Sequence, residues 1–123
     1  MASDPETVLR ALADCWQRGD ADGAAGLFAP DATYSEPPAF ASSGRAAIHA
    51  FFADFAARHH AVTFEVVRVL AATDGALAAA EWRFAHTRTT DGKEAAYEGM
   101  CWIELRNGLV TRWHGYSVAI PPL

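Results

Sequence analysis

The sequence predicts an α+β fold in which three N-terminal helices pack on the concave face of a curved, mostly antiparallel sheet, a cone-shaped α+β barrel. Two observations predict it. Apolar residues recur at helical spacing in the first half, and the second half consists of β-rich runs separated by Asp74-Gly75, Asp91-Gly92 and Asn107-Gly108. The chain has 123 residues, 51% of them hydrophobic, which suffices for one core. We therefore expect a single domain, residues 1–123.

The first two helices are predicted from their ends. A Ser or Asp cap followed by Pro5 and Glu6 is typical of a helix start, and Val8, Leu9, Leu12, Cys15 and Trp16 follow at helical spacing. Gly19-Asp20 ends this helix and caps the next. The second helix is short, carries Leu27 and Phe28, and is ended by Pro30.

The third helix is predicted over residues 44–59, after a small-residue loop at 39–43. One face of it is apolar at spacings i, i+3, i+4 and i+7, formed by Ile48, Phe51, Phe52 and Phe55. A short strand at residues 31–36 precedes the loop and is broken by Pro37-Pro38. Four long strands then form an antiparallel meander, at residues 62–72, 76–89, 94–106 and 109–119.

Charge and cysteine content exclude several classes of function. Ten Lys+Arg against fifteen Asp+Glu give a net charge of −5 without a basic cluster, which argues against nucleic acid or an anionic membrane as partner. No apolar run approaches the roughly 20 residues of a membrane span, and MASDPETV has no signal-peptide pattern. Cys15 and Cys101 are expected to be free thiols in the cytoplasm.

The order of elements resembles the nuclear transport factor 2-like superfamily, which includes SnoaL-like polyketide cyclases, ketosteroid isomerases and limonene epoxide hydrolases. The resemblance is carried by Trp16 with Gly19-Asp20, by Leu-Phe-Ala-Pro-Asp-Ala-Thr-Tyr at 27–34, by Gly-Arg-Ala-Ala-Ile at 44–48, and by Gly-Leu-Val-Thr-Arg-Trp at 108–113. It covers residues 5–118. The scaffold hosts isomerases, hydrolases, dehydratases, cyclases and binding domains, so it implies a fold and a pocket more than a reaction.

The resemblance to the isomerases places Glu36, just before Pro37, at the position of their general base. Tyr34 lies two residues earlier and therefore on the same strand face. An apolar pocket raises the pKa of a carboxyl group towards neutrality, as a base requires. The alternative is a strand-end glutamate in solvent or paired with an arginine.

Glu81 and Arg83 share one face of their strand, and Trp82 and Phe84 share the other. Resemblance to the epoxide hydrolases, which carry an Arg and an Asp at these places in that order, implies that Glu81 and Arg83 face the pocket. There they would hold a substrate oxygen or a water molecule. The alternative is an ion pair that satisfies only itself.

This chain departs from both enzyme patterns. The oxyanion donors of the isomerases fall near Leu12 and Cys101, and the second aspartate of the epoxide hydrolases falls at Gly115. Neither mechanism is therefore expected in full. Cys101 has no activating histidine in sequence, and the five histidines show no metal-ligand spacing, so we expect no metal and no cofactor.

The remaining pocket wall is expected to bind the ligand through largely aromatic side chains, namely Trp16, Phe28, Phe51, Phe55, His59, Phe64, Tyr97, Cys101 and Trp113. His59 is either a second acid–base group or a solvated histidine at a helix end. The outward sheet face would carry Trp82, Phe84, Met100 and Trp102, which need cover, so we expect a homodimer through this face. Two functions stay open: a cofactor-independent acid–base enzyme on an apolar, oxygenated small molecule, or a non-catalytic binding or dimerisation module.

Overall fold

The computed structural model describes residues 4–121 and has the predicted α+β architecture. Its helices are α1 (Pro5–Arg18), α2 (Ala21–Gly26) and α3 (Arg45–Arg58). Its strands are β1 (Phe28–Glu36), β2 (Phe40–Ser43), β3 (His59–Ala71), β4 (Leu77–Arg88), β5 (Glu94–Arg106) and β6 (Leu109–Ile120). None of the three helices combines the length and apolar character that crossing a bilayer requires.

The predicted ends of α1 are confirmed. The Asp4 carboxylate accepts a hydrogen bond of 2.8 Å from the backbone N–H of Thr7, and Ser3, the other candidate cap, lies outside the described residues. Gly19 closes the helix in the left-handed region, at φ 68°. Asp20 then caps α2 by accepting from the Gly23 N–H at 2.9 Å.

The prediction for the end of α2 is wrong, because the helix stops at Gly26 and the chain is already extended at Phe28. Pro30 lies inside β1 rather than ending a helix. The ladder between β1 and β6 shifts register between Phe28 and Thr33, and a proline fits such a bulge because it has no N–H to donate.

The six strands form one curved sheet in the order β2-β1-β6-β5-β4-β3, and the predicted antiparallel meander of β3 to β6 is confirmed. Among the neighbouring strands of segment 4–121, β1 and β6 alone pair in parallel. The sheet does not close, because β2 and β3 are free edges. The predicted loop at residues 39–43 is wrong: Phe40–Ser43 pairs with β1, placing Phe40 opposite Glu36.

The helices cover one face of this sheet. Ile48 and Phe52 of α3 are almost fully buried, and Phe28 at the start of β1 is 0% exposed. At the start of α3, the Arg45 guanidinium donates two hydrogen bonds, of 2.9 and 2.6 Å, to the Phe28 carbonyl of β1. The core therefore lies between α1, α3 and the covered face of the sheet.

The predicted orientation of β4 is wrong, and four of its residues lie on the opposite sheet face from the one expected. Trp82 is 4% exposed under the helices, with Phe84 packed beside it, whereas Glu81 and Arg83 lie on the opposite face. Burying two aromatic rings is favourable, while burying two charged groups costs free energy, so the covered face takes the rings. Met100 and Trp102 face outward as expected, at 50% and 42% exposure.

Candidate functional site

A cavity of about 360 Å³ lies between the helices and the sheet. Its size falls within the range of small-molecule sites. Most of its lining is aromatic, and the residues that form it are Trp16, Tyr34, Glu36, Pro37, Pro38, Ala39, Phe40, Phe51, Phe55, Phe64, Trp82, Phe84, His86, Tyr97, Trp113, Ser117 and Ala119. No lysine or arginine is among them.

Among the described lining residues, only Glu36 carries a carboxyl group. It ends β1, where the backbone turns at Pro37 to pair with Phe40. Burial raises the pKa of Glu36, and a hydrogen bond from the Ser117 hydroxyl partly opposes that rise. Because no cation is among the described lining residues, only the hydrogen bond from Ser117 offsets part of the cost of a negative charge there. The group is thus held closer to neutrality than a surface glutamate.

Tyr34 lies two residues before Glu36 on the same strand face and is 3% exposed. Its ring stacks on Phe40 at 5.0 Å and packs against Trp113 at 4.7 Å, measured between ring centroids. Burial, and then the charge of Glu36, raise the pKa of Tyr34 well above its ordinary value. Its hydroxyl therefore stays protonated and can donate a hydrogen bond. The structure brings these two predicted residues together.

Glu81 and Arg83 are not part of this site, so the expectation that they line the pocket is wrong. Arg83 lies on the outer face, where its Nε is 3.7 Å from Oε1 of Glu98 and both side chains are about half exposed. Ion pairs of this kind contribute little to stability. Neither residue can reach a molecule in the cavity.

Of the nine residues expected to form the ligand-binding wall, six line the cavity: Trp16, Phe51, Phe55, Phe64, Tyr97 and Trp113. Phe28 does not, because it is buried behind Tyr34 and Phe52, with ring centroids 5.6 and 6.0 Å away. Cys101 is 4% exposed beneath the wall, and burial raises its pKa to about 12. His59 lies outside this cavity, stacked on Phe55 at 4.0 Å.

Sequence reasoning missed several wall residues, including Phe40, Trp82, Phe84 and His86. The signal for three of them was present, because Trp82, Phe84 and His86 alternate along β4. Burial lowers the pKa of His86 to about 4, helped by His59 and Arg88, so this imidazole is neutral at physiological pH.

Two tryptophans lie over two glycines in the floor of the cavity. A Cβ at Gly115 would stand 2.5 Å from Cη2 of Trp113 and 3.3 Å from Oε1 of Glu36. A Cβ at Gly99 would stand 2.5 Å from Cη2 of Trp82, which is its partner across the β4–β5 ladder. Gly115 is where the epoxide hydrolase pattern expects an aspartate, and the Trp113 ring occupies that space.

The comparison with known proteins agrees with this geometry. The model of the SnoaL-like domain family matches residues 9–113. No curated protein matches the chain. In the part of the chain that the structure describes, no group of three or more His, Cys, Asp or Glu is placed to hold a metal ion.

Three solved structures share the fold. A protein of ketosteroid isomerase-like fold from Catenulispora acidiphila, in complex with trimethylamine, is 21% identical, with a TM-score of 0.80 over 93% of this chain and 86% of that one. An LEH-like epoxide hydrolase of M. tuberculosis is 18% identical, at 0.78 over 91% and 80%. The epoxide hydrolase/cyclase-like enzyme SalBIII is 19% identical, at 0.79 over 92% and 89%. With its family match covering most of its length, the chain belongs to the SnoaL-like domain family.

Proposed function

We propose that this protein is a cofactor-independent acid–base enzyme acting on an apolar, oxygenated small molecule in the aromatic cavity. The observation that carries the proposal is Glu36, whose carboxyl group has a raised pKa and is, in the part of the wall that the structure describes, the one carboxyl group, with no cation beside it. A carboxyl group poised closer to neutrality accepts and returns a proton most effectively near neutral pH.

Tyr34 supplies the complementary group. Its protonated hydroxyl lies on the same strand face as Glu36 and can donate to a substrate oxygen as negative charge develops there. Isomerisation, dehydration, cyclisation and hydrolysis all need this pair of roles. Two proteins of similar structure, an LEH-like epoxide hydrolase and the enzyme SalBIII of pyran ring formation, support proton chemistry on oxygenated substrates.

The test compares Glu36→Gln with Glu81→Gln. Both changes remove one carboxylate, but Glu36 lines the cavity and Glu81 does not. Turnover is measured on a panel of apolar epoxides and unsaturated ketones, together with any small molecule recovered from natively purified, then denatured, protein. We expect Glu36→Gln to lower kcat by about 10²–10⁴-fold and Glu81→Gln to leave it unchanged. Full activity in Glu36→Gln would refute the proposal.

A second candidate is a non-catalytic small-molecule-binding module. It is favoured by Leu12, Cys101 and Gly115, which stand where the two enzyme patterns have reacting groups. The trimethylamine complex of one similar structure supports binding of small molecules on this scaffold. This candidate would be supported if wild type bound a panel member or a recovered ligand saturably but converted none of them to product.

We further propose that two copies pair through the outer sheet face, in the cytoplasm. Four large apolar side chains there are 42–63% exposed, on neighbouring strands β5 and β6: Met100, Trp102, Tyr116 and Val118. Sedimentation should give a dimer for wild type and a monomer for Trp102→Glu; a wild-type monomer would contradict the proposal. The two free, buried cysteines support a reducing compartment.

A further inference from the structure

A second cavity, of about 690 Å³, adjoins the first where α3 ends and β5 begins. The two cavities share His86 and Tyr97, whose ring centroids are 6.0 Å apart. Apart from Ala95, the remaining described lining of the second cavity is polar or charged, and it consists of Arg58, His59, Arg88, Thr90 and Lys93. A molecule that extends between His86 and Tyr97 from one cavity to the other would therefore contact aromatic residues in the first cavity and polar residues in the second.

The second cavity is basic although the chain is acidic. Three of the ten Lys+Arg line it, and neither Asp nor Glu does. Arg58 and Arg88 each have an exposed acidic partner at the rim, with N–O distances of 3.0 Å to Asp54 and 3.5 Å to Asp91. Lys93 forms no ion pair with any residue of the described segment 4–121. Exposed pairs are weak, so the two guanidinium groups keep most of their capacity for a further anion.

We infer that the second cavity holds the oxyanion of an amphipathic ligand, such as a carboxylate, while the apolar body of the same molecule occupies the first cavity. The inference rests on the first cavity being the ligand pocket of the proposed function, and it names the class of that ligand. Guanidinium groups bind carboxylates through paired, charge-assisted hydrogen bonds.

The separation of charge between the cavities supports this orientation. Within segment 4–121, Glu36 is the only acidic or basic side chain besides the neutral His86 that lines the first cavity, so an anion there would meet repulsion in an apolar setting. The second cavity offers three cations instead. At the junction, the His86 Nδ1 is buried and has no hydrogen-bond partner within the described chain. This nitrogen is therefore available to form a hydrogen bond with a ligand that passes between the two cavities.

Two fluorescent probes that differ by one charged group test the inference. N-phenyl-1-naphthylamine is a neutral aromatic molecule, and 8-anilinonaphthalene-1-sulfonate is the same molecule with a sulfonate added. Both are titrated against wild type, Arg88→Gln/Lys93→Gln, and the control Arg106→Gln, which removes a cation paired with Asp31 outside either cavity. Phe40→Glu, in the wall of the first cavity, serves as a second variant.

We expect the double variant to bind the sulfonate probe about tenfold more weakly and the neutral probe as wild type does. The control should match wild type for both probes, and Phe40→Glu should weaken both. If the neutral probe binds and the double variant leaves the sulfonate affinity unchanged, the second cavity is not an anion site and the first cavity stands. If neither probe binds wild type, the first cavity is no ligand pocket, and both proposals are refuted.

Discussion

Gly115→Ala should destabilise the protein although the backbone there favours alanine. Gly115 lies in β6 without a positive φ, so replacing glycine with alanine should reduce the entropy of the unfolded chain and stabilise by about 0.5–1 kcal/mol. The added Cβ would stand 2.5 and 2.6 Å from two ring carbons of Trp113. Overpacking of this kind costs about 1–3 kcal/mol. Because the cost of overpacking exceeds the entropic gain, we expect the free energy of unfolding to fall by about 1–2 kcal/mol.

Trp113 can relieve the clash only by tilting into the cavity that it lines, because packed rings confine it elsewhere. It is 2% exposed, with its ring 4.7 Å from that of Tyr34 and 6.1 Å from that of Trp82. The added methyl would also lie 3.3 Å from Oε1 of Glu36, so the substitution disturbs the proposed proton-transfer group as well. We therefore expect lower stability and weaker probe binding in the same variant.

The assay is urea and thermal unfolding at one fixed chain concentration, followed by far-UV circular dichroism. A loss of 1–2 kcal/mol corresponds to a fall in Tm of about 4–8 °C for a domain of this size. Gly26→Ala is the matched control, because a Cβ at the end of α2 meets nothing within 4 Å and should stabilise. If Gly115→Ala raises Tm as the control does, the Trp113 ring does not lie over Gly115.

Three further predictions follow from the same wall. Burial raises the pKa of Glu36 in the native protein above its ordinary value of 4.5, so the free energy of unfolding falls as the pH rises from 4.5 through the native pKa. Glu36→Gln lacks this loss and should therefore become more stable than wild type as the pH rises from 4 to 8. Equal unfolding profiles of the two proteins across that range would contradict the prediction. Phe28→Leu should lower the free energy of unfolding with little change in probe affinity, because Phe28 is buried away from the cavity. Phe51→Leu should weaken probe binding with a smaller effect on stability, because Phe51 lines the cavity. The Cys101 thiol, with a pKa of about 12, should react with a disulfide reagent no faster than the protein unfolds; a fast reaction of this thiol in the native protein would disprove its burial.

Turn chemistry and apolar periodicity predicted most of the fold because both act locally. Gly19 ends α1, and the Asp-Gly and Asn-Gly pairs separate the long strands, since these residues adopt turn conformations at low cost. The edge strand β2 was missed for the opposite reason. Its sequence is only four residues long and three of them are small, so it carries a weak strand signal, and pairing with β1 accompanies the extended conformation of Phe40–Ser43.

The site was harder to predict because alternation separates two faces of a strand without saying which one is covered. On β4, resemblance favoured Glu81 and Arg83 for the pocket, while hydrophobicity favoured Trp82 and Phe84. Hydrophobicity was right, because Trp82 is 4% exposed beneath the helices and Arg83 pairs with Glu98 outside. On β1, the position before Pro37 and the spacing to Tyr34 were enough to bring Glu36 and Tyr34 to one cavity wall.

The cavity is bordered by large rings that lie close over two glycines of the sheet. At Gly99 and Gly115 no side chain rises from the sheet, so Trp82 and Trp113 fold down over the bare backbone. Above them, Trp16 of α1 meets the wall edge-on, with ring centroids 4.8–5.2 Å from Phe55 and Phe84. The rings over the glycines and the edge-on ring of Trp16 thus border a space that no side chain of the described residues fills. The same contacts therefore support the core and define the volume in which a ligand meets Glu36.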